Sequence, residues 1–202
     1  MPRENKTKYA VLGLLTYAPL SGYDIRRIYE QSLGNFWSES YGHIYPILKR
    51  LEAEGLATSS VQRQTGKPDR NVYTITVAGR EELHRWLAQP PDPHKERVEV
   101  LLKLFHGWEV GPDVMIAHVR KTRAEHEALL RKYDGYDEDM TAQPEPPTPY
   151  WLMTVSLGRH MSEAWLAWCD ETLEKLEQLP KEPRAGAESW APAAHDHLED
   201  DR

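Results

Sequence analysis

Cysteine is almost absent: Cys169 stands alone among 202 residues. That excludes an intramolecular disulfide framework and any multi-cysteine zinc site, and it fits a reducing, cytoplasmic setting. No stretch of about eighteen apolar residues occurs, so the sequence offers no helix suited to crossing a bilayer. The opening residues, Met1-Pro-Arg-Glu-Asn-Lys6, run into a helical pattern without the apolar core of a secretion signal. Catalytic signatures are missing too. The nine histidines form no HExxH pattern, and neither a Gly-rich phosphate loop nor a G-x-S-x-G elbow is present. His195-Asp-His197 sits in a tail rich in Pro, Ala and acids, a poor setting for a metal site. An enzyme is not expected, and no cofactor or metal is assigned.

What is present is unevenly spread. The net charge is −7, yet residues 1–89 carry 12 Lys+Arg against 9 Asp+Glu, while residues 90–202 carry 13 against 23. A mildly basic first part joined to an acidic remainder suggests a nucleic-acid-facing module attached to something that faces elsewhere.

The most informative stretch is Tyr41 to Gly55. Ile44, Ile47, Leu48 and Leu51 fall at i, i+3, i+4 and i+7, which predicts a helix with one dry stripe. Tyr41, His43, Tyr45, Lys49 and Arg50 occupy the other side, and Gly55 is placed to end the helix. A short helix held by its apolar face, with aromatic and cationic groups outward, is what a DNA recognition helix needs in a major groove about 12 Å wide.

The flanking segments give that helix its context. Lys6 to Tyr17 and Gly22 to Leu33 predict two earlier helices, the second capped by Ser21, with Ile25 and Ile28 inward. Beyond Gly55 the period shortens. Leu56–Arg63 and Asn71–Thr76 predict two strands around a Gly/Pro turn, so that Arg63, Lys67 and Arg70 decorate a hairpin tip. Thr76 then caps a fourth helix with Leu83, Trp86 and Leu87 on its apolar side.

Gln89-Pro-Pro-Asp-Pro93 reads as a stiff joint. After it come a short amphipathic helix through Leu101 and Phe105, and a longer one from Pro112 to Tyr133. An acidic loop over Asp134–Pro149 should follow, and then a long helix from Tyr150 to Leu179. The fold class expected is mainly α: a winged helix-turn-helix with a two-stranded β wing over 1–89, a helical dimerisation and effector domain over 90–179, and a disordered tail over 180–202.

The residues Tyr9-Ala-Val-Leu-Gly-Leu-Leu15, Pro19-Leu-Ser-Gly-Tyr-Asp-Ile25, Phe36-Trp-Ser38, His43-Ile-Tyr-Pro46, Leu48–Leu56, Val72–Thr76, Gly79-Arg80 and Trp86-Leu87 resemble, in order and spacing, the PadR family of bacterial transcriptional regulators. Arg97–Phe105 resembles, more loosely, the start of the family's longer C-terminal domain. The resemblance implies a homodimer paired through C-terminal helices, binding a near-palindromic double-stranded DNA operator. It also implies release by a small aromatic effector, phenolic acids being the family's best-known examples.

The expected DNA contacts are Tyr41, His43, Tyr45 and Lys49 in the major groove, with Arg50 on phosphate. Arg63, Lys67 and Arg70 of the wing reach flanking phosphates or the minor groove, and Ser21 and Tyr23 hold phosphate at a helix N-terminus. Leu101, Phe105, Trp165, Trp168 and Leu176 are the expected dimerisation residues. Trp108, Trp151, Trp165 and Trp168, with Arg97, His106, Arg159 and His160, supply raw material for an effector pocket, but no ligand residue carries over from the family. The rival reading is a winged domain used for protein contacts without specific DNA binding.

Overall fold

The computed structural model describes residues 6–32, 34, 37, 44–63, 69–93, 97–142 and 144–181. The chain divides into two compact units, Met1–His94 and Lys95–Arg202. The expected disordered tail, apart from its first two residues, lies outside the described residues.

The first unit runs α1 (Thr7–Leu15), β1 (Leu20–Ser21), α2 (Gly22–Gln31), α3 (Ile44–Ala53), β2 (Ala57–Gln62), β3 (Arg70–Ile75) and α4 (Val77–Leu87). This is a winged helix-turn-helix. Val11, Leu12, Leu14 and Leu15 of α1, Ile25 of α2, and Ile44, Ile47, Leu48 and Leu51 of α3 share one core, closed by Ala57, Tyr73, Ile75 and Leu83. Leu48 is fully buried at the heart of α3, and one such side chain contributes about 1.5–3 kcal/mol. The dry stripe thus holds α3 in place and leaves its other face free to be polar.

The sheet has three strands where the sequence suggests two. Leu20 pairs with Tyr73 and Ser21 with Val72, giving the antiparallel order β1-β3-β2. A two-residue strand is too short to leave an alternation signal in the sequence. The expected hairpin pairs from Ala57↔Ile75 to Gln62↔Arg70. Its junction with α4 is tight, because a Cβ on Gly79 would lie 2.1 Å from the Leu56 carbonyl oxygen. Thr76 caps α4 by accepting from the Gly79 N–H at 3.0 Å. The Trp86 ring fills the space against α1, stacked on Tyr9 with centroids 4.5 Å apart. Leu87, expected on that apolar side, is left exposed.

The second unit contains α5 (Glu99–Phe105), a 3-10 turn at Gly107–Glu109, α6 (Pro112–Ala142) and α7 (Thr148–Glu177). α6 and α7 form an antiparallel hairpin, cross-linked by Arg120–Glu177 (3.2 Å), Arg123–Asp170 (2.6 Å) and Arg159–Asp137 (3.2 Å). α6 runs past Tyr133, where the sequence suggests a loop over Asp134–Pro149. Asp134 and Asp137 both pair with Arg159 of α7, so the acids belong to the hairpin's edge. The prolines that break helices begin only at Pro144.

Buried residues of α7, namely Thr148, Val155, Ser162, Cys169 and Leu176, recur every seven positions, the period of helices that wrap around each other. Ser162 and Cys169 are the small residues of this seam. A Cβ on Gly158 would lie 2.5 Å from the Tyr133 ring, so that ring is seated on the glycine.

Three residues expected to pair with a second copy also make contacts within the hairpin. Leu176 is buried with Met115, Val119 and Cys169, and Trp168 packs on that cluster. Trp165 stacks on His126 of α6, with centroids 5.0 Å apart and planes 7° from parallel. Helical spacing alone cannot tell an intramolecular seam from an intermolecular one. Leu101 and Phe105 are exposed, together with Leu102 on α5 and Tyr150, Met153 and Leu157 on α7.

Candidate nucleic-acid interface

The candidate interface comprises the outward face of α3, the first turn of α2 and the β2–β3 hairpin. On α3, Tyr45 and Lys49 are exposed while Ile44 and Leu48 beside them are buried. Lys49 makes no ion pair among the described residues. Arg50 is exposed, and its Nε donates to Glu54 at 2.6 Å, an i,i+4 pair along the helix. Tyr41 and His43 lie outside the described residues.

At α2 the structure separates two neighbours to which the sequence assigns one role. Ser21 is buried. Its hydroxyl donates to Asp24 Oδ2 at 2.7 Å and accepts from the Asp24 N–H, while the Ser21 N–H donates to the same carboxylate at 3.0 Å. This is a complete capping box. Ser21 is therefore the cap of α2, and Asp24 places a negative charge at that helix N-terminus. The spacing Ser21-x-x-Asp24 is the sequence signal that marks it. Tyr23, one position before Asp24, is exposed.

Asp24 also reaches the wing. Arg70 donates to Asp24 at 3.2 Å and to Gln62 Oε1 at 2.8 Å, so it ties the turn end of the β2–β3 ladder to α2. Burial pushes the Asp24 carboxyl up, but hydrogen bonds from Ser21 and the charges of Arg70 and Arg27 outweigh it and hold the group below the usual carboxylate range. Arg63, at the end of β2, is exposed and without an ion pair among the described residues. Lys67 lies outside them.

A further link joins α3 to the wing: the Ser59 hydroxyl of β2 donates to the Glu52 carboxylate of α3. Burial first, then Glu52 and Tyr45, raise the pKa of the Tyr73 phenol on β3. The wing is thus tied to α3 by Glu52–Ser59 and to α2 by Asp24–Arg70. No group of three or more His, Cys, Asp or Glu side chains among the described residues could hold a metal ion. No described helix is long and apolar enough to cross a membrane.

The PadR-like transcriptional regulator family matches residues 11–85, and the family described as virulence activator alpha C-term matches residues 96–177. The negative transcriptional regulator PadR of Bacillus subtilis (strain 168) is 32% identical over 183 residues, spanning 85% of this chain and 97% of that one. The chain belongs to the PadR-like family of transcriptional regulators. Like other PadR-type proteins it is a DNA-binding regulator and not an enzyme. Bacillus subtilis PadR solved in complex with operator DNA superposes with a TM-score of 0.74 at 29% identity, covering 84% of this chain and 98% of that one. The same protein in complex with p-coumaric acid gives a TM-score of 0.66 at 28% identity, covering 85% and 98%.

Proposed function

We propose that this PadR-like protein is a repressor that binds a near-palindromic operator as a homodimer and is released by a small aromatic acid. The observation that carries the DNA-binding part is the division of α3, buried at Ile44, Ile47, Leu48 and Leu51 and exposed at Tyr45, Lys49 and Arg50. Tyr45 and Lys49 enter the major groove with Tyr41 and His43, Tyr23 meets the backbone, and Arg63 and Lys67 take flanking phosphates. Arg50 and Arg70, already paired with Glu54 and Asp24, contribute mainly by orienting their elements.

Dimer formation is supported by the apolar surface that the second unit leaves open: Leu101, Leu102 and Phe105 of α5, and Tyr150, Met153, Leu157 and Met161 of α7. On α7 this stripe lies across the helix from the seven-residue seam, so the hairpin can keep its own core and still offer a second face. Two copies would place their α3 helices on half-sites about one DNA turn apart.

The effector part leans on the relative solved with p-coumaric acid. Arg159 and His160 border a groove of about 390 Å³ with Leu152, Val155 and the carboxylates of Asp137 and Glu163. Arg159 is paired with Asp134 and Asp137, and the His160 imidazole sits beside Glu163.

The test is a selection from random duplex DNA with the purified protein at two salt concentrations, followed by titration of p-coumarate into the selected complex. The reading expects a site with two related half-sites, weaker binding at the higher salt, and release by the aromatic acid. Failure to enrich any duplex would overturn the DNA reading. A complex indifferent to p-coumarate would overturn that effector alone.

A further inference from the structure

Gly22 opens α2 at a negative φ, a conformation any residue can adopt, since among the described residues the positive-φ glycines are Gly55 and Gly111. Within a helix glycine is less favourable than alanine by about 1 kcal/mol, so backbone geometry gives no reason for it here. Space does. A Cβ on Gly22 would lie 2.6 Å from Tyr45 Cε1 and 3.1 Å from Cδ1 and Cζ. The Tyr45 ring therefore rests on the first residue of α2. Its backbone is held by buried Ile44 and Ile47 on either side, so the direction of the ring is decided by what it lies against. Tyr45 nonetheless remains 57% exposed, with its outer part facing solvent on the same side as Lys49. The Tyr73 phenol of β3 also feels Tyr45.

We propose that Gly22 is a positioning residue for DNA reading: the space it leaves seats the Tyr45 ring and so sets where the phenol of α3 meets the DNA. The inference rests on the DNA-binding reading above. A methyl group at position 22 cannot share that space with the ring, so the ring must swing away while α2 keeps its cap.

The experiment measures binding of a selected operator, and of its single-base variants, by wild type, Gly22→Ala, Tyr45→Ala and the double variant. Gly22→Ala should weaken the operator complex by about fivefold or more and reorder the single-base variants. The double variant should bind like Tyr45→Ala alone, because the ring that the methyl group would displace is gone. Should Gly22→Ala prove too unstable to assay, the comparison between Tyr45→Ala and the double variant still decides. Equal affinity supports the proposal, and a further loss in the double variant overturns it. Tyr45→Ala binding like wild type with the same base preference would also overturn it, leaving the regulator reading intact. A wild type that selects no duplex would overturn both.

Discussion

At the residue scale, the site depends on which polar groups are already engaged. Ser21, Arg50 and Arg70 have partners within the fold, while Tyr23, Tyr45, Lys49 and Arg63 face outward. The outward face of α3 was legible in the sequence, because a dry stripe at three-and-four spacing leaves only one other face for α3 to present. Partner choice was not legible. Arg70 and Asp24 are 46 positions apart, and only the hairpin brings them together. The cap gives a direct prediction. Ser21→Ala should destabilise the first unit by about 1 kcal/mol, as losing an N-cap does. Operator affinity of the folded fraction should change little. Thermal unfolding alongside binding checks this, and a large affinity loss at unchanged stability would return Ser21 to the phosphate contacts.

At the scale of elements, winged module and helical hairpin were unequally readable. Strands β2 and β3 and helix α4 announced themselves through β-branched residues, a Gly/Pro turn and a capping Thr76. The C-terminal part of α6 did not, since Asp134 to Asp139 reads as a solvated loop until Arg159 is placed against it. The α6–α7 seam also holds His126 against Trp165, with its Nδ1 buried and without a hydrogen-bond partner. Burial lowers its pKa, while Glu125 pulls weakly the other way. A histidine whose folded pKa is depressed binds its proton more readily once unfolded. The hairpin should therefore be fully stable above the unfolded value of about 6.5 and lose stability as pH falls below it, down to the folded pKa. His126→Leu should flatten that part of the melting-temperature profile between about pH 7.5 and 5.5. Identical slopes in variant and wild type would remove His126 from the account.

At the scale of the whole molecule, two apolar surfaces on the second unit must be weighed against each other. The seam through Cys169 and Leu176 is closed within one chain, whereas Met153 and Leu157 remain exposed. Leu157→Glu should accordingly give a folded monomer by light scattering, with operator affinity falling because only one half-site is held. Leu176→Glu, which buries a charge in the hairpin, should unfold the second unit instead. A dimeric Leu157→Glu would move the interface elsewhere. The central claim concerns the outward face of α3, and Lys49 tests it most directly because it is exposed there without an ion pair among the described residues. The measurement is operator affinity against salt concentration for wild type and Lys49→Ala. The variant should bind more weakly, with the slope of log K against log salt shallower by about 0.9 for each phosphate that the lysine neutralises. Superimposable salt profiles for the two proteins would contradict the claim.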